Sequence, residues 1–88
     1  MNTIKFDRKS SSWTHNIESN KFFLHYNIMY LKDLLMARGY LYLNTIYEVF
    51  GVEWNPDDEN VCYRAENRNF NIIWDELGGN SFLIRIHY

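Results

Sequence analysis

The fold is decided by the C-terminal stretch VCYRAENRNFNIIWDELGGNSFLIRIHY, residues 61–88. Apolar residues recur there at every second position in three short runs, about residues 61–66, 70–76 and 81–87. Such alternation is typical of strands with one buried face and one solvated face. The sequences between the runs, Asn67-Arg68-Asn69 and Gly78-Gly79-Asn80, favour tight turns. The stretch therefore predicts a three-stranded antiparallel meander.

The alternation also assigns side chains to the two faces of this meander. The inner face is predicted to hold Tyr63, Trp74 and Ile84, whereas the outer face is predicted to hold five others: Arg64, Ile73, Asp75, Leu83 and Arg85. The charged members of the outer face are expected to form a cross-strand ladder. The apolar members, Ile73 and Leu83, leave two explanations open. Either a partner binds this face, or the N-terminal segment folds over it.

A long helix is predicted upstream of the meander, in NKFFLHYNIMYLKDLLMAR, residues 20–38. Its apolar residues recur at near-helical spacing, and Ser19 or Asn20 is predicted to cap its first amides. Gly39 is a residue that commonly ends a helix. The apolar stripe is wide, and this width predicts a central helix.

A second, shorter helix is predicted at about residues 45–50, with Asn44 as its N-cap and Gly51 at its end. The inner face of the meander must be covered, and the two helices are the elements available to cover it. We therefore predict an α+β fold in which two N-terminal helices pack on the meander. At 88 residues the chain is expected to be a single domain, with residues 1–18 either a flexible arm or an extra edge strand.

Charge is unevenly distributed along the chain. The net charge is −2, but residues 39–88 carry eight acidic and three basic side chains. Five of the acids occur in one short stretch without a base: Glu48, Glu53, Asp57, Asp58 and Glu59. This stretch would repel phosphate, so direct nucleic-acid binding is not expected. It favours instead a partner with a basic surface.

No pattern of residues predicts catalysis or cofactor binding. Cys62 and the three histidines lack metal-ligand spacing, and no glycine-rich phosphate loop occurs. Strand alternation would place Cys62 and His87 on the same face, but without a pocket for a reaction. We therefore expect no enzyme, no metal and no cofactor. A single cysteine, together with the lack of a signal peptide or membrane span, favours the cytoplasm.

The stretch GYLYLNTIYEVFGVEW, residues 39–54, and the later NIIWDELGGNSFLIRIHY carry a resemblance over about residues 30–88. The chain resembles an uncharacterised domain family of small proteins from phages and integrated mobile elements of Gram-positive bacteria. In that family a glycine–aromatic–x–x–Leu–Asn corner opens a short helix that ends in glycine, and a C-terminal hairpin follows. The resemblance implies a mobile-element origin and no known activity or functional residue.

Three functions follow from these observations as hypotheses. The leading one is a non-enzymatic protein-binding module, of the kind that phages encode to inhibit a CRISPR effector or another defence nuclease in the host cytoplasm. Its expected binding residues are the five acids together with Ile73, Asp75 and Leu83. The second is a helix-turn-helix or winged-helix nucleic-acid binder that reads DNA with helix 45–50. The third is a phage structural protein that forms homo-oligomers through the sheet.

Overall fold

Strands and helices alternate over the first half of the chain, and three strands follow in the second half, in the computed structural model, which describes residues 2–88. The strands are β1 (Asn2–Phe6), β2 (Tyr40–Tyr42), β3 (Cys62–Arg64), β4 (Asn71–Gly78) and β5 (Ser81–His87). The α-helices are α1 (Ile17–Arg38) and α2 (Leu43–Val49), and Pro56–Asp58 form a 3-10 helix. An α+β fold with antiparallel strands is confirmed. The predicted order, two N-terminal helices followed by the meander, is wrong, because β1 precedes both helices and β2 lies between them; of the two alternatives left open for residues 1–18, the structure shows an edge strand.

The strands form two sheets, and this arrangement corrects the predicted meander. The three-stranded sheet has the order β1-β5-β4, and the two-stranded sheet pairs β2 with β3. β3 therefore does not pair with β4. The amides of Leu43 and Ala65 donate to the carbonyls of Val61 and Gly39, both at 3.0 Å, and extend the pairing of β2 with β3. Since β3 is taken by the chain that follows α1, β1 occupies the edge of β5 that β4 leaves open.

The β4–β5 hairpin agrees with the alternation. Asn80, with φ of 59°, and the two preceding glycines form its turn, and Trp74 lies opposite Ile84. Ile84 is fully buried, whereas Trp74 is only half-buried because it lies on an edge strand. Tyr63 is buried as predicted, but it reaches the core from the two-stranded sheet.

α1 begins three residues earlier than predicted. Asn16 is its N-cap, and the side chain of Asn16 accepts a hydrogen bond from the amide of Ser19 at 3.0 Å. Gly39 ends the helix with φ of 83°, and its amide donates to the carbonyl of Leu35. The prediction for this end is confirmed, while Ser19 and Asn20 are not caps.

Asn20 instead is the buried member of a polar cluster that joins three segments of the chain. Its side chain accepts from the Thr14 amide (3.0 Å) and hydroxyl (3.2 Å), and it donates to the Thr14 carbonyl (2.8 Å) and to Oδ1 of Asn80 (2.9 Å). The Asn80 carbonyl in turn accepts from Nε1 of Trp13 at 2.7 Å. The cluster therefore fastens the β4–β5 turn and the loop after β1 to the start of α1.

α1 has one core face and one apolar solvent face. The core face is formed by Leu24, Ile28, Leu31 and Leu35, which pack with β1, β4, β5 and α2 in a single core. The wide apolar stripe predicted a central helix, but one side of α1 faces solvent. Phe22, Met29 and Tyr30 are exposed on that side.

α2 is short and largely buried. It starts at Leu43, so Asn44 lies inside the helix rather than at its cap, and Oδ1 of Asn44 is buried without a hydrogen-bond partner among residues 2–88. The helix buries Leu43, Asn44, Ile46 and Tyr47, and Glu48 is its exposed side chain. Gly51, two residues past the helix, has φ of 69°, and its carbonyl accepts from the amide of Ser11.

Candidate protein-binding surfaces

The five acids of the charge analysis define a first candidate surface, called here the acidic surface: Glu48, Glu53, Asp57, Asp58 and Glu59. Four of them are exposed, and Asp58 is half-buried. Within residues 2–88, none of the five forms an ion pair with a basic side chain. Folding therefore leaves these carboxylates available to an external cation.

A capped turn orders the centre of the acidic surface. Oδ1 of Asn55 accepts from the amide of Asp57 at 3.0 Å, and Pro56 occupies the first helical position, where its missing N–H costs no hydrogen bond. The carbonyl of Asn55 also accepts from the amide of Asp58 at 2.9 Å. These bonds fix the backbone that carries three consecutive acids, so less conformational entropy is lost when a partner binds there.

Tyr47 ties this turn to α2. Its hydroxyl donates to Oδ2 of Asp58 at 2.7 Å. Burial raises the pKa of the Tyr47 hydroxyl well above its ordinary value, and the hydrogen bond to Asp58 and its negative charge raise it further. The hydroxyl therefore stays protonated and keeps donating at neutral pH. Since Glu48 follows Tyr47 in the chain, the bond also brings the 3-10 helix beside the end of α2.

One hydrogen bond joins the two elements that carry four of the five acids. Tyr47 of α2 donates to Asp58 of the 3-10 helix, Glu48 follows Tyr47 in the chain, and Asp57 and Glu59 flank Asp58. Glu53 lines a different groove, together with Lys5 and Lys9 near the end of β1. A partner that contacts the first group would meet Glu53 only if it also covers that groove.

The outer face of the three-stranded sheet is the second candidate surface. Oδ2 of Asp75 lies 3.2 Å from an Nη of Arg85, so this part of the predicted charge ladder is present. Arg64 is not part of it, because β3 belongs to the other sheet. Ile73 is 38% exposed and Leu83 is half-buried. Residues 2–6 lie beside β5 as an edge strand and do not cover these side chains.

The sheet face predicted to be shared by Cys62 and His87 depended on the three-stranded meander, and this prediction is wrong. Cys62 lies on β3 in the two-stranded sheet, and His87 lies on β5 in the other. Within the part of the chain that the structure describes, no three His, Cys, Asp or Glu side chains are grouped closely enough to hold a metal ion. Over the same residues, no helix combines the length and apolar character needed to span a membrane.

Sequence reasoning missed a third exposed surface on α1. The width of the apolar stripe predicted a central helix, yet Phe22, Tyr26, Met29, Tyr30 and Met36 all face solvent. The signal was present in the sequence. Apolar residues occur on all sides of α1, which is more than one buried face requires.

Comparison of the chain with family models, with curated proteins and with solved structures gave no match. The resemblance to a phage domain family therefore remains a prediction, and a function can be inferred only from the surfaces described above.

Proposed function

We propose that this protein is a non-enzymatic protein-binding module whose acidic surface binds the basic nucleic-acid groove of a host defence nuclease in the cytoplasm, as an inhibitor of the anti-CRISPR type does. One observation carries the proposal: four of the five carboxylates of the acidic surface are exposed, and within residues 2–88 none of the five forms an ion pair with a basic side chain. Like charges kept close together destabilise a small domain slightly. Binding to a partner of the opposite charge would remove this destabilisation.

The chemistry of such a groove fits the acidic surface. A nuclease holds nucleic acid with arginine and lysine side chains spaced to meet phosphates. Carboxylates form short, charge-assisted hydrogen bonds with the same side chains, and arginine binds them in a bidentate manner. The ordered turn at Asp57 and Asp58 presents two adjacent carboxylates on a fixed backbone. The outer sheet face, with Ile73, Asp75 and Leu83, is proposed as a second contact for the same partner.

The same geometry disfavours a helix-turn-helix function. A recognition helix must present side chains that reach base edges in the major groove. α2 has seven residues, of which four are buried, and its exposed side chain is Glu48. The negative charge of Glu48 would repel the DNA backbone. The acidic surface is therefore better suited to a protein that binds DNA than to DNA itself.

A nuclease inhibition assay tests the proposal. Purified CRISPR effector nucleases are loaded with guide, incubated with increasing amounts of the protein, and then given labelled target DNA. We expect at least one nuclease to lose cleavage in a stoichiometric manner. The double variant Glu48→Gln/Glu59→Gln should need at least about tenfold more protein for half-inhibition, since a hydrogen bond to a charged group contributes about 1.5–3 kcal/mol.

The chain offers a matched control for this variant. Glu18→Gln/Glu66→Gln removes the same charge from two exposed glutamates outside the acidic surface, and it should inhibit like the wild type. Equal weakening by both double variants would mean that net charge, not the acidic surface, drives binding. If no nuclease in the panel binds or is inhibited by excess wild-type protein, the proposal is wrong.

A further inference from the structure

The solvent face of α1 carries a continuous line of large apolar side chains, called here the α1 stripe. Its members and exposed fractions are Phe22 (70%), Tyr26 (64%), Met29 (52%), Tyr30 (47%) and Met36 (73%). On a helix, residues three and four apart lie on one side, and the exposed positions 22, 26, 29, 33 and 36 follow one another at spacings of four and three. This is the spacing of the seam that packs two helices side by side.

The area of the α1 stripe is large for an unoccupied surface. With about 200 Å² for each ring or long side chain, the exposed fractions of the five members amount to about 600 Å². That is the upper end of the largest apolar patch on a typical monomer, about 300–600 Å². When the same patch is buried on both partners of a pair, the total of about 1,200 Å² reaches the lower limit of specific protein interfaces.

We propose that the α1 stripe binds a second copy of this chain, with the two α1 helices antiparallel across a two-fold axis near Met29. A two-fold interface uses the same patch on both partners, so the patch must be complementary to itself. Phe22 and Met36 lie seven residues to either side of Met29. Full antiparallel overlap over the roughly 21 Å between them therefore sets each Phe22 against Met36 of the second copy.

The one charged residue on this seam also fits the antiparallel register. Asp33 is exposed and has no ion pair in the described part of the chain. In the full-overlap register, position 33 lies level with positions 25 and 26 of the second copy. Asp33 would then meet His25 and the hydroxyl of Tyr26, which both carry hydrogen-bond donors. Within one chain, Tyr47 and Asp58 already form such a tyrosine–carboxylate bond at 2.7 Å.

A second copy explains the α1 stripe better than an unrelated partner does. An apolar partner would not require a carboxylate within the seam, whereas a second copy supplies the donors for that carboxylate twice, once on each side of the two-fold axis. The contact between the Met36 thioether and the Phe22 ring of the second copy is itself favourable, and this contact also occurs twice. The inference goes beyond the proposed function and does not rest on it, since the α1 stripe shares no residue with the acidic surface or the outer sheet face.

Sedimentation velocity tests the dimer. Because dimerisation follows mass action, the protein is measured over roughly a hundredfold range of concentration. We expect a shift from monomer to dimer mass as concentration rises, with a micromolar dissociation constant typical of small interfaces. Met29→Glu places two carboxylates at the two-fold axis and should leave a monomer at every concentration. Leu77→Glu is the matched control, because Leu77 is also 52% exposed but lies on β4.

A concentration-dependent dimer that Met29→Glu abolishes and Leu77→Glu preserves supports the proposal, provided that circular dichroism shows both variants folded. A wild-type monomer at the highest concentration overturns it, as does a dimer that Met29→Glu leaves intact. Oxidation of Met29→Cys in a Cys62→Ser background tests the register, since a two-fold axis near residue 29 should give a rapid intermolecular disulfide. Slower crosslinking than with Met36→Cys in the same background overturns the register.

Discussion

Removal of the Asn20 side chain should destabilise the protein more than any other asparagine substitution in α1. Asn20 is 1% exposed, and its amide makes four hydrogen bonds, to Thr14 and Asn80. Asn20→Ala removes all four and leaves the amide of Thr14 without its partner. A hydrogen bond contributes about 1 kcal/mol net, and more when a buried donor loses its acceptor.

The size of the expected loss depends on which hydrogen-bond partners of Asn20 can form other hydrogen bonds in the variant. The Thr14 carbonyl keeps a second donor, Nδ2 of Asn80 at 3.2 Å, and the hydroxyl of exposed Thr14 can turn to water. We therefore expect a loss of about 2–3 kcal/mol in the free energy of unfolding rather than four full bonds. For a chain of this size the loss corresponds to a fall in Tm on the order of 10–20 °C.

Urea unfolding, followed by circular dichroism, measures this loss. The midpoint should fall while the slope with urea stays the same, since the fold is retained. Asn27→Ala is the matched control, because Asn27 lies on the same helix and its side chain donates only to the Phe23 carbonyl of its own helix. Its effect should stay within about 0.5 kcal/mol, as alanine has the better helix propensity. If Asn20→Ala lowers the free energy of unfolding no more than Asn27→Ala does, the polar cluster does not fasten the hairpin to α1.

Three further predictions concern other parts of the fold. Gly51→Ala should lower the free energy of unfolding by more than about 2 kcal/mol, because residue 51 has a positive φ and its added Cβ would lie 2.8 Å from a backbone nitrogen. Gly79→Ala also has a positive φ, but its Cβ would lie in open space, so this variant should lose only about 1 kcal/mol. Equal losses of the two variants in thermal unfolding would contradict this. The folded-state pKa of Tyr47 is raised, so its contribution to stability is complete below pH ~10 and declines as pH rises further. Tyr47→Phe should therefore unfold in urea with a weaker decline above pH ~10 than the wild type, and an equal decline would exclude this source. Ile73→Asp should leave the free energy of unfolding within about 0.5 kcal/mol, because the site is exposed, but should weaken inhibition of the nuclease partner; an unfolded variant would mean that this face is packed.

Local sequence chemistry was sufficient to predict the β4–β5 hairpin and the end of α1. Alternation in NIIWDE and SFLIRIH, with GGN between them, specifies a hairpin whose two strands are neighbours in the chain. Gly39 ends α1 because glycine tolerates the left-handed conformation that it adopts there. In both cases the residues that determine the structure lie within a few positions of one another.

Strand pairing over long sequence distances was not predictable in the same way. β1 pairs with β5 across almost the whole chain, and β3 pairs with the three residues that follow Gly39. Alternation shows which face of a strand is apolar, but it does not show which strand lies beside it. The three residues of β3 are too few to prefer one neighbour over another, so the pairing depends on where α1 leaves β2.

The candidate surfaces show the same limit. The acids were visible in the sequence, and the structure adds that they are unpaired within residues 2–88 and that Tyr47 holds Asp58. The α1 stripe was read as core because a side chain that faces a core and one that faces a partner are equally apolar. Only the position of the helix over the sheet separates the two.

Competition with nucleic acid tests directly whether the acidic surface occupies the nucleic-acid groove of a nuclease. The nuclease identified by the inhibition assay is bound to fluorescently labelled nucleic acid, and fluorescence anisotropy is followed as the protein is added. We predict complete displacement, with an apparent dissociation constant that rises linearly with the concentration of labelled nucleic acid and rises as salt is added. A ternary complex, in which the protein binds while the nucleic acid stays bound, would contradict it.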